Sequence, residues 1–109
     1  MQTLTIQEEI VMTTIWRLEE DAYGVSIRKK AADLTNKTMM YGTLYNVLSQ
    51  LVRKGFVSKS KGDPTAERGG RSKMYYALTP AGLKALRQSR ELHRSIWDGL
   101  PEFAAGGAD

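Results

Sequence analysis

The side chains that could support covalent or proton-transfer chemistry are few, and they are poorly placed for it. The chain has one histidine, His93, and no cysteine. A catalytic dyad or a transition-metal site within one chain is therefore not expected. The carboxylates Glu8-Glu9 and Glu19-Glu20 are sequence neighbours. On a helix, neighbours point roughly 100° apart rather than at one substrate, so they read as a solvated acidic face. The Gly69-Gly70 pair lacks the strand–loop–helix context that cradles phosphate. No nucleophile, base and orienter can be assembled, so the expectation is a binding protein with no cofactor and no enzymatic activity.

The groups with recognisable chemistry lie between Lys37 and Lys73. Thr43, Tyr45 and Asn46 fall on the outward side of a helical stretch, with Gly42, Ser49, Gln50 and Arg53. Apart from Gly42 these side chains are hydrogen-bonding and mostly uncharged, and none is a carboxylate. An ordinary solvent-facing helix would favour Glu and Lys there, whereas a helix lying against a polyanion cannot carry carboxylates. Residues 37–73 hold eight cations against two anions. Residues 1–21 hold one cation and five anions, and residues 74–109 balance four against four. The net charge of +4 is thus concentrated where a phosphate backbone would need it. A basic helix followed by a basic two-stranded ribbon is a means of gripping duplex DNA, the alternative being a solvated surface that happens to be basic.

These groups need elements to hold them. At 109 residues one domain with a modest core is expected. The first helix starts near Thr3 or Thr5, with Ile6, Ile10, Ile15 and Leu18 on one side and the acidic residues on the other. Gly24 is expected to stop it in a left-handed turn. A second helix covers about 25–34, carrying Ile27, Ala31 and Leu34. Asn36 or Thr38 is expected to cap a third helix over about 39–54. That helix has the best apolar period in the chain, through Tyr41, Leu44, Val47, Leu48, Leu51 and Val52, and Gly55 ends it. Strands follow at 56–61 and 71–78 around a loop from Gly62 to Gly70. The second strand should place Met74, Tyr76 and Leu78 on one face. Thr79 and Pro80 open a last helix running to about Leu100. The tail is expected to be disordered. No apolar stretch is long enough for a membrane span, and the N-terminal residues do not resemble a secretory signal. Together with the absence of cysteine, this suits a cytoplasmic protein.

The order helix, helix, helix, strand, wing, strand, helix is that of a winged helix-turn-helix, a mainly α (α+β) fold. Four segments make the similarity specific. Ala22-Tyr23-Gly24-Val25-Ser26-Ile27, Gly42-Thr43-Leu44-Tyr45 with Leu48, Leu51 and Gly55, Gly69-Gly70-Arg71-Ser72-Lys73-Met74-Tyr75-Tyr76, and Leu78-Thr79-Pro80-Ala81-Gly82 resemble, in order and spacing, the motifs of the PadR family of transcriptional regulators. One departure is Ser72-Lys73-Met74, where basic residues more often cluster. The resemblance covers residues 4–100. It implies a three-helix core with a two-stranded β-wing in residues 1–79, a C-terminal dimerisation helix at 80–100, and a flexible tail at 101–109. It further implies a homodimer that binds a pseudo-palindromic double-stranded operator, most often as a repressor.

On that reading the third helix enters the major groove, with Lys37, Thr38, Tyr41, Thr43, Tyr45 and Asn46 meeting the duplex. Thr43 and Tyr45 position phosphate, and Asn46 reads a base. Core packing is the competing expectation for Tyr41. Lys59, Lys61, Arg68, Arg71 and Lys73 bring the wing to the backbone, against the alternative of edge-strand charge that blocks aggregation. Arg28, Lys29 and Lys30 either touch phosphate or form a solvated face. Of the paired Tyr75 and Tyr76, one should pack under the wing. The last helix carries more apolar surface than a three-helix core can cover, which a two-fold dimer would use. Leu92, His93, Ile96 and Trp97 are its interface candidates. In a drug-binding branch of the family a tryptophan on this helix lines a pocket at the dimer centre, so Trp97 either holds a small apolar ligand or only packs the dimer.

Overall fold

A computed structural model describes residues 3–62 and 73–100. Five elements lead to the wing: helix α1 (Ile6–Leu18), a 3₁₀ turn (Glu19–Asp21), helix α2 (Gly24–Thr35), helix α3 (Tyr41–Arg53) and strand β1 (Val57–Lys61). Strand β2 (Met74–Leu78) and helix α4 (Pro80–Trp97) follow it. The fold is mainly helical, as expected. The loop with Arg68, together with Arg71 and the tail from 101, lies outside the described residues.

α1 begins with a reciprocal cap. The Thr5 hydroxyl accepts from the Glu8 amide at 3.1 Å, and the Glu8 carboxylate accepts from the Thr5 amide at 2.9 Å, which satisfies two otherwise orphaned donors. The inward face of α1 is the expected one only in part: Ile15 is buried and Leu18 packs against the core, but the face is centred elsewhere. Val11, Met12 and Ile15 are buried, and so is Glu8, whereas Ile6 is exposed. Positions 8, 11, 12 and 15 share one side of a helix at 3.6 residues per turn, and they set the core phase. Glu8 is therefore not part of a solvated acidic face. Its carboxylate receives the Lys54 ammonium at 2.7 Å, tying α1 to the end of α3.

Gly24 does not end a helix in a left-handed turn. Glu19 takes the positive φ after α1, and Asn36 takes it after α2. Asn36 thus closes α2 instead of capping α3, and Met40, at the start of α3, makes no side-chain cap. The α3 stripe of Leu44, Val47, Leu48 and Leu51 is buried as its period requires. It packs with Ala22, Ile27, Val57 and Tyr76 in one core. Tyr41 stands outside that core, exposed at 40%. Gly55, at φ 81°, makes the left-handed turn into β1 that a side chain would oppose.

β1 and β2 pair antiparallel, Val57 opposite Leu78 and Lys59 opposite Tyr76. Residues directly opposite share a face, so Lys59 and Lys61 project on the side of Tyr76 and Met74. Of the three residues expected on the apolar face only Tyr76 is fully buried; Leu78 is half-buried and Met74 is exposed. The ribbon also gains a third partner: Tyr23 bridges to Tyr75, and the Tyr76 amide donates to the Ala22 carbonyl at 2.8 Å. α4 opens with Thr79 accepting from the Gly82 amide at 3.0 Å and with Pro80 in its first turn. It ends at Trp97, short of Leu100, with Gly99 in a left-handed conformation. Among the described residues no helix is long and apolar enough to cross a membrane.

Candidate nucleic-acid interface

The expected groove-facing side chains occupy one surface. Tyr45 is 45% exposed, Asn46, Ser49, Gln50 and Arg53 are exposed, and Thr43 is half-buried. Thr43, Asn46, Ser49, Gln50 and Arg53 line a shallow depression beside Gln7. Such a set can accept from and donate to base edges, since an amide side chain matches the adenine edge and a guanidinium the guanine edge. Gln50, exposed beside Asn46 in the same depression, carries the same amide chemistry. Lys37 and Thr38 are exposed in the turn that precedes α3.

Tyr41 and Tyr45 sit one helical turn apart and stack, with ring centroids at 6.2 Å and planes at 20°. The Arg28 guanidinium lies over Tyr41 at 4.3 Å, and its Nε donates to the Met39 carbonyl at 2.7 Å. Arg28 is thus neither a solvated cation nor one directed wholly outward. At the other end of the stack, the Tyr45 hydroxyl fills the place that a side chain on Gly24 would need.

On the ribbon, Lys59 and Lys61 are exposed. Lys73 is half-buried at the wing root, its ammonium 4.1 Å above the Tyr23 ring. Tyr23 in turn meets Tyr75 edge-on at 5.6 Å. Of the tyrosine pair, Tyr76 packs into the core and Tyr75 packs against Tyr23 at the wing root. Among the described residues, no group of three or more His, Asp or Glu is placed to hold a metal.

The C-terminal candidates form a separate surface. Leu92, Ile96 and Trp97 are exposed at 39%, 57% and 54%. His93 instead turns back to α1, its Nε2 2.8 Å from the Glu9 carboxylate, which also accepts from the Ser89 hydroxyl. A groove of about 560 Å³ runs between α1 and α4, lined by Trp16, Leu83, Leu86, Arg87, Arg90 and His93 among others. Trp16, 62% exposed, was not singled out from the sequence. Its position opposite Leu83 depends on how α4 folds back on α1, which local periodicity does not report.

A family model described as the transcriptional regulator PadR-like family matches residues 14–88. The chain belongs to this family. PadR proteins are transcriptional regulators, and the fold is that of a winged-helix DNA-binding domain. A PadR-family regulator from Clostridium difficile is 19% identical, covering 92% of this chain and 99% of that one at a TM-score of 0.74. A PadR-like transcription factor from Bacteroides fragilis is 24% identical, covering 82% and 81% at 0.70. RosR of H. salinarum is 27% identical, covering 94% and 84% at 0.67. No curated protein matches the chain.

The structure gives physical content to the PadR-like motifs. In Tyr23-Gly24 the tyrosine receives the wing root and the glycine receives Tyr45. In Leu78-Thr79-Pro80-Ala81-Gly82 the threonine caps α4, and its hydroxyl donates to the Gly55 carbonyl at 2.6 Å. These contacts join the PadR elements to one another, whereas Asn46 and Gln50 face outward.

Proposed function

We propose that the chain is a homodimeric repressor of the cytoplasm that reads a pseudo-palindromic operator. On this reading residues 1–79 contact DNA and 80–100 pair the two copies. The observation that carries it is the exposed, carboxylate-free face of α3. Thr43 and Tyr45 serve as phosphate-positioning hydroxyls, and Asn46 reads a base edge. Lys37, Thr38 and Tyr41 meet the backbone at the start of the helix. Lys59, Lys61, Arg68, Arg71 and Lys73 serve the flanking backbone. Pairing is supported by the run of exposed Leu92, Ile96 and Trp97 along α4, apolar area that a soluble chain would normally cover.

Selection of bound duplexes from a random pool tests this reading. It should return an inverted repeat with half-site centres about 10 base pairs apart, or a multiple of that. Failure to retain any duplex at low salt would exclude it. Two substitutions separate the roles. Asn46→Ala should relax the preference at one base position, worth about 1–3 kcal/mol of discrimination. Arg71→Ala should weaken all sequences alike and lower the salt slope by about 1.

A second reading is a small-molecule sensor that shares this dimeric architecture. The groove between α1 and α4 supports it, and there Trp16 rather than Trp97 is the lining tryptophan. A planar apolar compound should then quench the emission of a protein retaining Trp16 (Trp97→Phe) and leave a Trp16→Phe protein unaffected. The opposite pattern would move the site to the end of α4.

A further inference from the structure

We infer that Arg28 is a positioning residue for the recognition face, fixing the direction of Thr43 and Asn46 rather than chiefly serving as a phosphate contact. The inference rests on the DNA-binding reading above. α3 starts without a side-chain cap, because Met40 supplies none. The free N–H groups of the first turn are left to water, and the tether at this end of the helix runs instead through the preceding carbonyl and the Tyr41 ring. Arg28 reaches across from the middle of α2, and its Nε fixes the carbonyl of Met39, the residue just before that cap position, at 2.7 Å. The Cζ of the same guanidinium lies over the Tyr41 ring, 4.3 Å from its centroid, and Tyr41 stacks on Tyr45. Tyr45 then closes against Gly24. The first turn and a half of α3 is thus gripped at both ends by one helix, α2. Thr43 and Asn46 project from the same turns of α3 on a different flank from the two rings, so holding 41 and 45 fixes where 43 and 46 point through the helix backbone.

Lysine cannot replace arginine here. An ammonium has no planar face to stack and no Nε–H to give a carbonyl while doing so, although it keeps the charge. That difference separates positioning from charge. Binding of a selected duplex and of an unrelated duplex should be measured across salt for the wild type, Arg28→Lys and Arg28→Ala. Expected for both variants is a loss of roughly tenfold in affinity for the selected duplex. Affinity for the unrelated duplex should be held by Arg28→Lys, with an unchanged salt slope. Selectivity matching the wild type in Arg28→Lys would overturn the inference and leave Arg28 a plain cation.

A readout without DNA stands beside this one. In the wild type the Arg28 Nε–H should exchange slowly by NMR, and its side-chain protons should be shielded by the Tyr41 ring. Tyr41→Leu should relieve that shielding. An Arg28 Nε–H exchanging as fast as a free side chain would overturn the inference even if the Arg28 variants failed to fold. A wild type that binds no duplex would instead remove the DNA-binding reading while the NMR signature still reported the strut.

Discussion

Replacing Gly82 by alanine should lower the melting temperature by roughly 10–15 °C, corresponding to about 3 kcal/mol. Gly82 is buried in the first turn of α4. An added methyl would overlap the Phe56 carbonyl oxygen, with the Phe56 carbonyl carbon and Cα directly behind it. These are backbone atoms and cannot swing aside. The same Phe56 oxygen already accepts from the Thr79 amide at 3.1 Å, and the Thr79 hydroxyl holds the Gly55 carbonyl at 2.6 Å. Helix α4 therefore seats on the α3–β1 turn through three adjoining contacts, and one methyl disturbs all of them. Thermal unfolding followed by circular dichroism measures the effect. A melting temperature equal to that of the wild type would mean that α4 is not seated there. On the dimeric reading the same substitution should weaken operator binding more than binding to a single half-site, because α4 sets the separation of the two copies.

Lys54→Ala should cost about 2–3 kcal/mol. The Glu8 side chain is 1% exposed and depends on that ammonium at 2.7 Å, while Lys54, at 27%, keeps some contact with water. Removal of lysine leaves a buried carboxylate with only the Thr5 contacts. The pH dependence supplies a sharper test. Burial pushes the Glu8 carboxyl upward, but the hydrogen bonds from Lys54 and Thr5 and the Lys54 charge outweigh it, so its pKa lies below the ordinary value of 4.5. With the folded pKa depressed, the stabilisation is present above the unfolded value and is lost as pH falls through the folded one. In Lys54→Ala burial dominates and the folded pKa rises, so acidification relieves the strain of the buried charge. The stability gap between wild type and variant should therefore shrink on going from about pH 7 to about pH 4. Urea unfolding at several pH values reads it, and a gap independent of pH would refute the assignment.

Glu8 also marks where sequence reasoning stopped. The helix and strand order, the burial of Leu44, Val47, Leu48 and Leu51, the Thr79-Pro80 start of α4 and the outward placement of Asn46 were all legible, because period and turn chemistry act locally. The phase of α1 was legible only at its C-terminal end, through Ile15 and Leu18. Two adjacent glutamates suggest a solvated face, and only a lysine 46 positions away makes one of them a core residue. Gly24 failed for a similar reason: a glycine after a helix suggests a left-handed turn, yet here its missing side chain makes room for Tyr45 from another helix. Arg28 read as one of three consecutive cations, and its partners Met39 and Tyr41 meet it only when α2 and α3 cross. Trp16 became notable only through the fold-back of α4.

The three residues Ala22, Tyr23 and Gly24 touch the wing root and α3 at once, the two elements that the proposed function sets against DNA. Ala22 and Tyr23 hold the wing, and Gly24 receives the recognition helix through Tyr45. Wing root and helix thus have a common anchor and little freedom to swing independently. Against a rigid reading head of this kind, any mismatch in groove width or curvature falls on the duplex. Base steps that no side chain contacts then enter the selection through their stiffness, and sequence variants outside the half-sites should be discriminated by how readily they bend.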